Sequence, residues 1–240
     1  MPAKLFSFLF CFLLISFSFA ETYTPEEGSD ELLKNKKVKI PYDKNLPDVL
    51  IIGDSISIGY TPFVAQLLKG KANVIHNPGN SQGTTNGLQQ LSSWIGDKKW
   101  AVIHFNFGLH DLKHVKEPGT SKNSNSFDDP QQADLATYTK NLSIITESLK
   151  KTDSPLIFAT TTPYPDGVKP ARKPADAVAY NEKALEIMKK NEVAINDLYN
   201  HILPHLKKLQ RPKNVHFSAE GSLFLARKVA KEILAKLPAK

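Results

Sequence analysis

Four short stretches carry residue types and spacings that could do chemistry. The apolar run Asp48-Val-Leu-Ile-Ile-Gly53 leads into Gly53-Asp54-Ser55-Ile56-Ser57. A serine in the turn between a buried strand and a helix has its hydroxyl at the sheet edge. Its backbone N–H then lies at a helix N-terminus, where the dipole favours negative charge. A serine nucleophile needs that setting, although Ser or Asp there could equally be an ordinary helix cap. Asn77-Pro78-Gly79-Asn80-Ser81-Gln82-Gly83 is a turn in which a glycine lets a backbone N–H approach a substrate. Asn106-Phe107-Gly108-Leu109-His110-Asp111 places polar donors after a glycine, an arrangement suited to holding an oxyanion. Lys213-Asn214-Val215-His216-Phe217-Ser218 puts a histidine before the last helical stretch, where it could act as a base.

These stretches fall between strand and helix signals. Short β-branched runs predict strands at Asp48–Gly53, Asn73–His76, Trp100–Phe105, Pro155–Ala159 and Val193–Ile195. Apolar periodicity predicts helices over Phe63–Leu68, Leu88–Ile95, Gln132–Lys150, Ala175–Asn191, Leu198–Leu209 and Ser218–Leu237. In the fourth of these, Val178, Ala184, Ile187 and Met188 are expected to face inward. Strand–helix alternation implies an α/β fold with a parallel sheet and helices on both faces. Ligands of such sheets sit beyond the carboxyl ends of the strands, which is where the four stretches lie.

Composition narrows the class. The 240 residues fit one large domain, and 41% hydrophobic residues are enough to build a core, which excludes disorder as the main state. A single cysteine, Cys11, excludes a disulfide scaffold. The net charge of +7 comes from scattered lysines without an arginine-rich cluster, so no nucleic-acid partner is expected. Residues 1–20 carry one cation, Lys4, an apolar run from Leu5 to Phe19, and Ser18-Phe19-Ala20 before Glu21, the pattern of a secretory signal peptide. The run is short of the roughly 20 residues needed to span a bilayer, so no membrane span is expected after removal of the signal, with an uncleaved anchor as the runner-up. The expected mature chain has 240 − 20 = 220 residues and is exported, to the periplasm or the medium. Residues 21–47 are charged and weakly patterned, and predict an extended lead-in to a domain over 48–240.

Taken together the four stretches resemble the SGNH, or GDSL-type, hydrolase family. Gly53-Asp54-Ser55-Ile56-Ser57 is similar to the family's first block. Gly79 stands where the family has its glycine, and Gly108-Leu109-His110-Asp111 aligns with its Gly-x-Asn-Asp block. Val215-His216-Phe217, followed by Ser218-Ala-Glu-Gly221, aligns with the last block. The resemblance runs from about Asp48 to the C-terminus, with the blocks in order. It implies a three-layer α/β/α sandwich with a five-stranded parallel sheet, flavodoxin-like, and ester hydrolysis through an acyl-serine. Ser55 would be the nucleophile and His216 its base. The N–H groups of Ser55 and Gly79, with a side chain from the third block, would hold the oxyanion. Asp54 would position the turn, with Asp111 in support. No metal or organic cofactor is implied.

Two positions depart from that pattern. His110 replaces the family's asparagine. A neutral imidazole still offers one N–H, and Asn106 is a second candidate. Lys213 stands where the family has an aspartate, three residues before His216. An ammonium has donors only, so a backbone carbonyl near Lys213 or the Asn214 amide is expected to hold the ring, with Asp197 and Glu220 the carboxylates to check. Two other readings follow. One is a binding protein that keeps the fold without the reaction. The other is a metal-dependent hydrolase, because His110 and His114 would share a face on a helix, with Asp111 between them and His76 and His104 near strand ends.

The loops Lys113–Gln131 and Thr162–Pro174, the second with four prolines and Tyr164, are expected to shape a polar rim. Such a rim suits a small ester or an acylated carbohydrate with a short acyl group such as acetyl. The expected state is a monomer. Asn141-Leu142-Ser143 is a formal glycosylation sequon inside a predicted helix.

Overall fold

The computed structural model describes residues 23–238. The expected signal segment lies outside the described residues. Five strands form one parallel sheet: β1 (Asp48–Ile52), β2 (Asn73–His76), β3 (Val102–Phe105), β4 (Leu156–Ala159) and β5 (Ala194–Asn196), in the order β2-β1-β3-β4-β5. This is the flavodoxin-like order, and its topological switch lies between β1 and β3. The three central strands β1, β3 and β4 are covered on both faces, which is why they read as apolar runs, interrupted only by Asp48 at the start of β1 and by His104 within β3. Val49, Ile51, Ile52, Val102 and Phe105 are all wholly buried.

Helices cover both faces. α1 (Ser29–Lys34), α2 (Ser55–Leu67), α6 (Leu198–Ile202), a 3-10 turn (Leu203–His205), α7 (Leu206–Leu209) and α8 (Ala219–Leu234) form one layer, with α1, α2, α6 and α7 packed on α8. α3 (Thr84–Ile95), α4 (Leu135–Lys150) and α5 (Pro174–Lys190) form the other, with α4 between its neighbours. The architecture is the three-layer sandwich expected from the alternation.

Several boundaries differ from the sequence reading for local reasons. Residues 21–47 were expected to be extended, yet α1 forms there and Leu32 and Leu33 pack onto the core. Arg227 of α8 pairs with Glu26 at 3.0 Å and donates to Ser29 Oγ at 3.1 Å, and Tyr23 meets Phe224 edge-on. These tertiary contacts stabilise a helix too short to persist alone. Leu198–Leu209 is broken into three pieces, because Pro204 lacks the N–H that a continuous helix needs. α2 begins eight residues earlier than periodicity indicated, at Ser55, where the Asp54 carboxylate caps it. In α5, Val178 is 42% exposed rather than inward. Ala184, Ile187 and Met188 do face inward, and the stripe is completed by Ala177, Tyr180 and Asn181, fixed by Tyr180 Oη donating to Ala133 O at 2.7 Å.

Candidate active site

The turn after β1 presents Ser55. Asp54 is the N-cap of α2, and its carboxylate accepts the Ile56 N–H at 2.9 Å. Burial pushes the Asp54 carboxyl up to about 6, against the pull of its hydrogen bonds and of Arg172. Ser55 is therefore the first helical residue and not the cap, which leaves its hydroxyl free for another partner. That partner is His216: Ser55 Oγ and His216 Nε2 are 2.8 Å apart. On the far side of the ring, Nδ1 is 2.7 Å from Asn214 Oδ1. An amide oxygen only accepts, so Nδ1 carries the proton and Nε2 offers its lone pair to the serine O–H.

The loop that brings His216 to Ser55 is a tight turn. Lys213 takes a left-handed φ of 50°, Asn214 N–H donates to Arg211 O, and Arg211 N–H donates to His216 O at 2.9 Å. Asn214 Oδ1 also accepts the backbone N–H of His216 at 2.9 Å. Asp197 caps α6 and accepts from Thr160 Oγ1, and Glu220 sits in the first turn of α8. Among the described residues no carboxylate bonds to the His216 ring, and burial, Arg211 and Arg172 hold its pKa below the ordinary histidine value.

In the turn after β2, Gly79 has a φ of 68°, in the left-handed region that a side chain disfavours. Its N–H donates to no protein acceptor among the described residues. Asn77, which the sequence reading did not single out, joins the β1 and β2 turns: its Oδ1 accepts Gly53 N–H at 2.9 Å, and its Nδ2 donates to Pro78 O and Gly79 O. Ser81 N–H donates to Gly53 O at 3.0 Å in the same place. A polar residue directly after an edge strand was the only available signal.

The third loop carries His110. Gly108 has a φ of 140°, and a Cβ there would stand 2.3 Å from Thr161 Oγ1. The loop can pass so close to β4 only with glycine. His110 Nδ1 is buried without a protein partner. Burial, followed by the charges of Lys113, Arg172 and His216, pushes its pKa down to about 3. The imidazole is therefore neutral at ordinary pH and keeps one N–H to donate. Asn106, the other candidate donor, sends its amide across to Ala159 O at 2.7 Å and so ties β3 to β4. Asp111 Oδ1 accepts both the N–H of Thr84, at 2.7 Å, and its hydroxyl, at 2.6 Å. It thereby fastens the His110 loop to the N-terminus of α3. Burial raises the Asp111 carboxyl to about 7.

A second serine–histidine contact was not foreseen. Ser57 Oγ is 2.6 Å from His76 Nε2 and 2.7 Å from Asp54 O, and His76 Nδ1 faces Asn77 O at 2.7 Å. Ser57 is 1% exposed, so this contact braces the Ser55 turn from beneath and is closed to a substrate. A Cβ on Gly53 would stand 2.6 Å from Ser57 Oγ, which accounts for that glycine.

The histidine spacing read for a metal does not assemble. Residues 110–114 form turns rather than a helix, so His110 and His114 share no helical face. His114 Nδ1 faces Asp129 O, and His104 is wholly buried beside Asn196 Nδ2. Among the described residues no group of three or more His, Cys, Asp or Glu side chains is placed to hold a metal ion. Asn141, the sequon residue, is buried and donates toward Thr84 and Thr85. Tyr164, expected at the rim, is 3% exposed and donates to Lys173 O, which folds its loop back on itself.

Ser55 and His216 open into a pocket of about 140 Å³, lined also by Ile56, Phe217, Lys36 and Arg211. A larger groove of about 710 Å³ lies elsewhere, between residues 36–42 and the outer side of α2 and β2. No helix among the described residues is long and apolar enough to cross a membrane.

The sequence matches no protein-family model and no curated protein. Solved structures do match. A lipase/acylhydrolase from Enterococcus faecalis is similar at 22% identity and a TM-score of 0.65, over 81% of this chain and 98% of that one. An acetylxylan esterase from Geobacillus stearothermophilus is similar at 17% identity and a TM-score of 0.63, over 78% and 94%. A GDSL-like lipase from Bacteroides thetaiotaomicron is similar at 14% identity and a TM-score of 0.59, over 88% and 98%. The chain thus has the fold of the SGNH, or GDSL-type, hydrolases.

Proposed function

We propose that this protein is a serine ester hydrolase that works through an acyl-serine intermediate on short-chain esters, acetyl esters of carbohydrates in particular. The observation that carries this reading is the line Ser55 Oγ–His216 Nε2 at 2.8 Å and His216 Nδ1–Asn214 Oδ1 at 2.7 Å, built at the N-terminus of α2. His216 takes the Ser55 proton as the oxygen attacks the acyl carbonyl, then returns it to the departing alkoxide. The developing oxyanion is met by the N–H groups of Ser55 and Gly79 and by the neutral His110 ring. Water then repeats the sequence on the acyl-serine and regenerates the hydroxyl. The small pocket at Ser55 supports a short acyl group. The similar acetylxylan esterase and lipase folds support ester chemistry.

Residues 1–20, with Lys4 and the apolar run behind it, support export to the periplasm or the medium. The same chain is proposed to act as a monomer on a small ester or acylated carbohydrate, without nucleic acid.

A panel of nitrophenyl esters of increasing acyl length, with acetylated xylan beside it, tests the reaction. Acetyl should be preferred, and activity should vanish in Ser55→Ala. A second reading, a binder that keeps the fold without the reaction, is favoured by the absence of a carboxylate at the His216 ring among the described residues. A fluorophosphonate probe separates the two, because only an activated serine is labelled.

A further inference from the structure

Cations gather round Ser55 and His216 in excess of the acids that face them. Lys36 and Arg211 line the pocket that holds both residues, and no carboxylate lines it. Deeper in, Arg172 is 4% exposed and donates only to carbonyls, Leu109 O at 2.9 Å and Pro170 O at 3.2 Å. Lys113 is equally buried along its stem, while its ammonium keeps contact with solvent. Both stand close enough to His110 to hold its pKa down, and Arg172 does the same to His216.

The acids nearby offset this group only in part. Asp54 attracts Arg172 and Asp111 attracts Lys113, but burial lifts both carboxyls, and both are bonded to helix N-termini through Ile56 N–H and Thr84. Glu220, in the first turn of α8, faces Lys36, and no acid is set against Arg211 in the pocket. Burying a cation without a hydrogen-bonded anion is costly, and Arg172 has only carbonyl partners, so the site favours negative charge from outside. The oxyanion supplies one charge, and only while bonds are changing.

We propose that the site takes an ester whose alcohol portion carries a fixed negative charge, a carboxylate or sulfate on an acylated sugar, seated against Arg172, Lys113, Lys36 and Arg211. This rests on the esterase reading for the bond cleaved but on separate residues for recognition. Arg172 has a further part as a positioning residue, because its hydrogen bond to Leu109 O holds the peptide that precedes His110.

Calorimetric titration of Ser55→Ala protein tests recognition apart from turnover. The probes are trigalacturonate, a sulfated trisaccharide and neutral xylotriose at low ionic strength. The expected result is that one anionic probe binds at least tenfold tighter than xylotriose, and the two anionic arms tell carboxylate from sulfate. The preference should shrink severalfold in 0.5 M NaCl and in Lys36→Met, and be lost when Lys113→Met is added. Lys36→Met alone alters only a rim residue and keeps the test alive should the buried substitution unfold the chain. Equal affinity for all three probes, or an anionic preference untouched by Lys36→Met, would overturn the proposal. A wild-type protein that cleaves no nitrophenyl ester yet keeps the anionic preference would overturn the esterase reading alone.

Discussion

The side-chain oxygen of Asn214 lies 2.7 Å from Nδ1 of His216, in the position where a carboxylate would complete a catalytic triad. The amide holds the ring and its tautomer but brings no charge to stabilise an imidazolium. The pKa of His216 is accordingly lowered, by burial first and then by Arg211 and Arg172. His216 is thus held neutral to lower pH than an ordinary histidine. Lys213, the position where the family pattern has its acid, is turned away by its left-handed backbone, and the next residue has taken over the contact.

Asn214→Asp should therefore restore a charged partner where Lys213→Asp would not. An adjacent carboxylate raises a histidine pKa by about 1 unit or more. Because the base acts unprotonated, the acidic limb of kcat/KM should move to higher pH by about that amount. Turnover at pH 8 should rise by roughly tenfold as the imidazolium gains support. Asn214→Ala should lower kcat at every pH. A pH–rate profile of the three proteins checks this, and an unmoved acidic limb in Asn214→Asp would remove Asn214 from the role.

Ser55→Ala should lower turnover by roughly 10³-fold or more. The stability change should stay within about 0.5 kcal/mol, because Asp54 and not Ser55 caps α2. Nitrophenyl acetate hydrolysis and a denaturant melt on the same preparation read both quantities. Wild-type turnover in this variant would assign the nucleophile elsewhere.

His110→Ala should reduce kcat by roughly 10²–10³ with little change in KM, the loss expected for one oxyanion donor. His110→Asn should recover much of it, since an amide offers the same N–H. With its pKa pushed down to about 3, His110 stays neutral over the working range and should add no limb of its own to the pH profile. A large KM effect instead would mark His110 as a contact to the ground state.

The sheet was legible because the central strands are mostly apolar and the longer helices α3, α4, α5 and α8 carry a period. The Ser55 turn was legible because glycine, aspartate and serine follow β1 directly. What escaped was set by distance in the chain. α1 owes its helix to Arg227 and Phe224, some 200 residues on. Asn77 and the Ser57–His76 contact join separate turns, and no local pattern marks them. The place of Asn214 was only one of two options until the φ of Lys213 was known. The histidine spacing at 110 and 114 misled because it presumed a helix where the chain turns.

Asp111 links the site to stability. It is wholly buried, its Oδ1 takes two hydrogen bonds from Thr84, and its Oδ2 has no partner. Burial raises its pKa to about 7, whereas an unfolded aspartate titrates near 4. Between those values the native state binds the proton that the unfolded state has lost. The stabilisation is therefore whole below about pH 4 and drains away as pH rises through 7. Asp111→Asn keeps the acceptor toward Thr84 and removes the buried charge. At pH 8 it should be more stable than the wild type, by about 1–3 kcal/mol. Near pH 4, where Asp111 is neutral in the native state, the two should agree closely. Asp54, raised to about 6 by its own burial, is common to both proteins, and its repulsion of Asp111 is part of the gap. Paired denaturant melts at pH 4.5 and pH 8 measure the gap, and a gap that does not widen with pH would show that Asp111 titrates as an ordinary carboxylate.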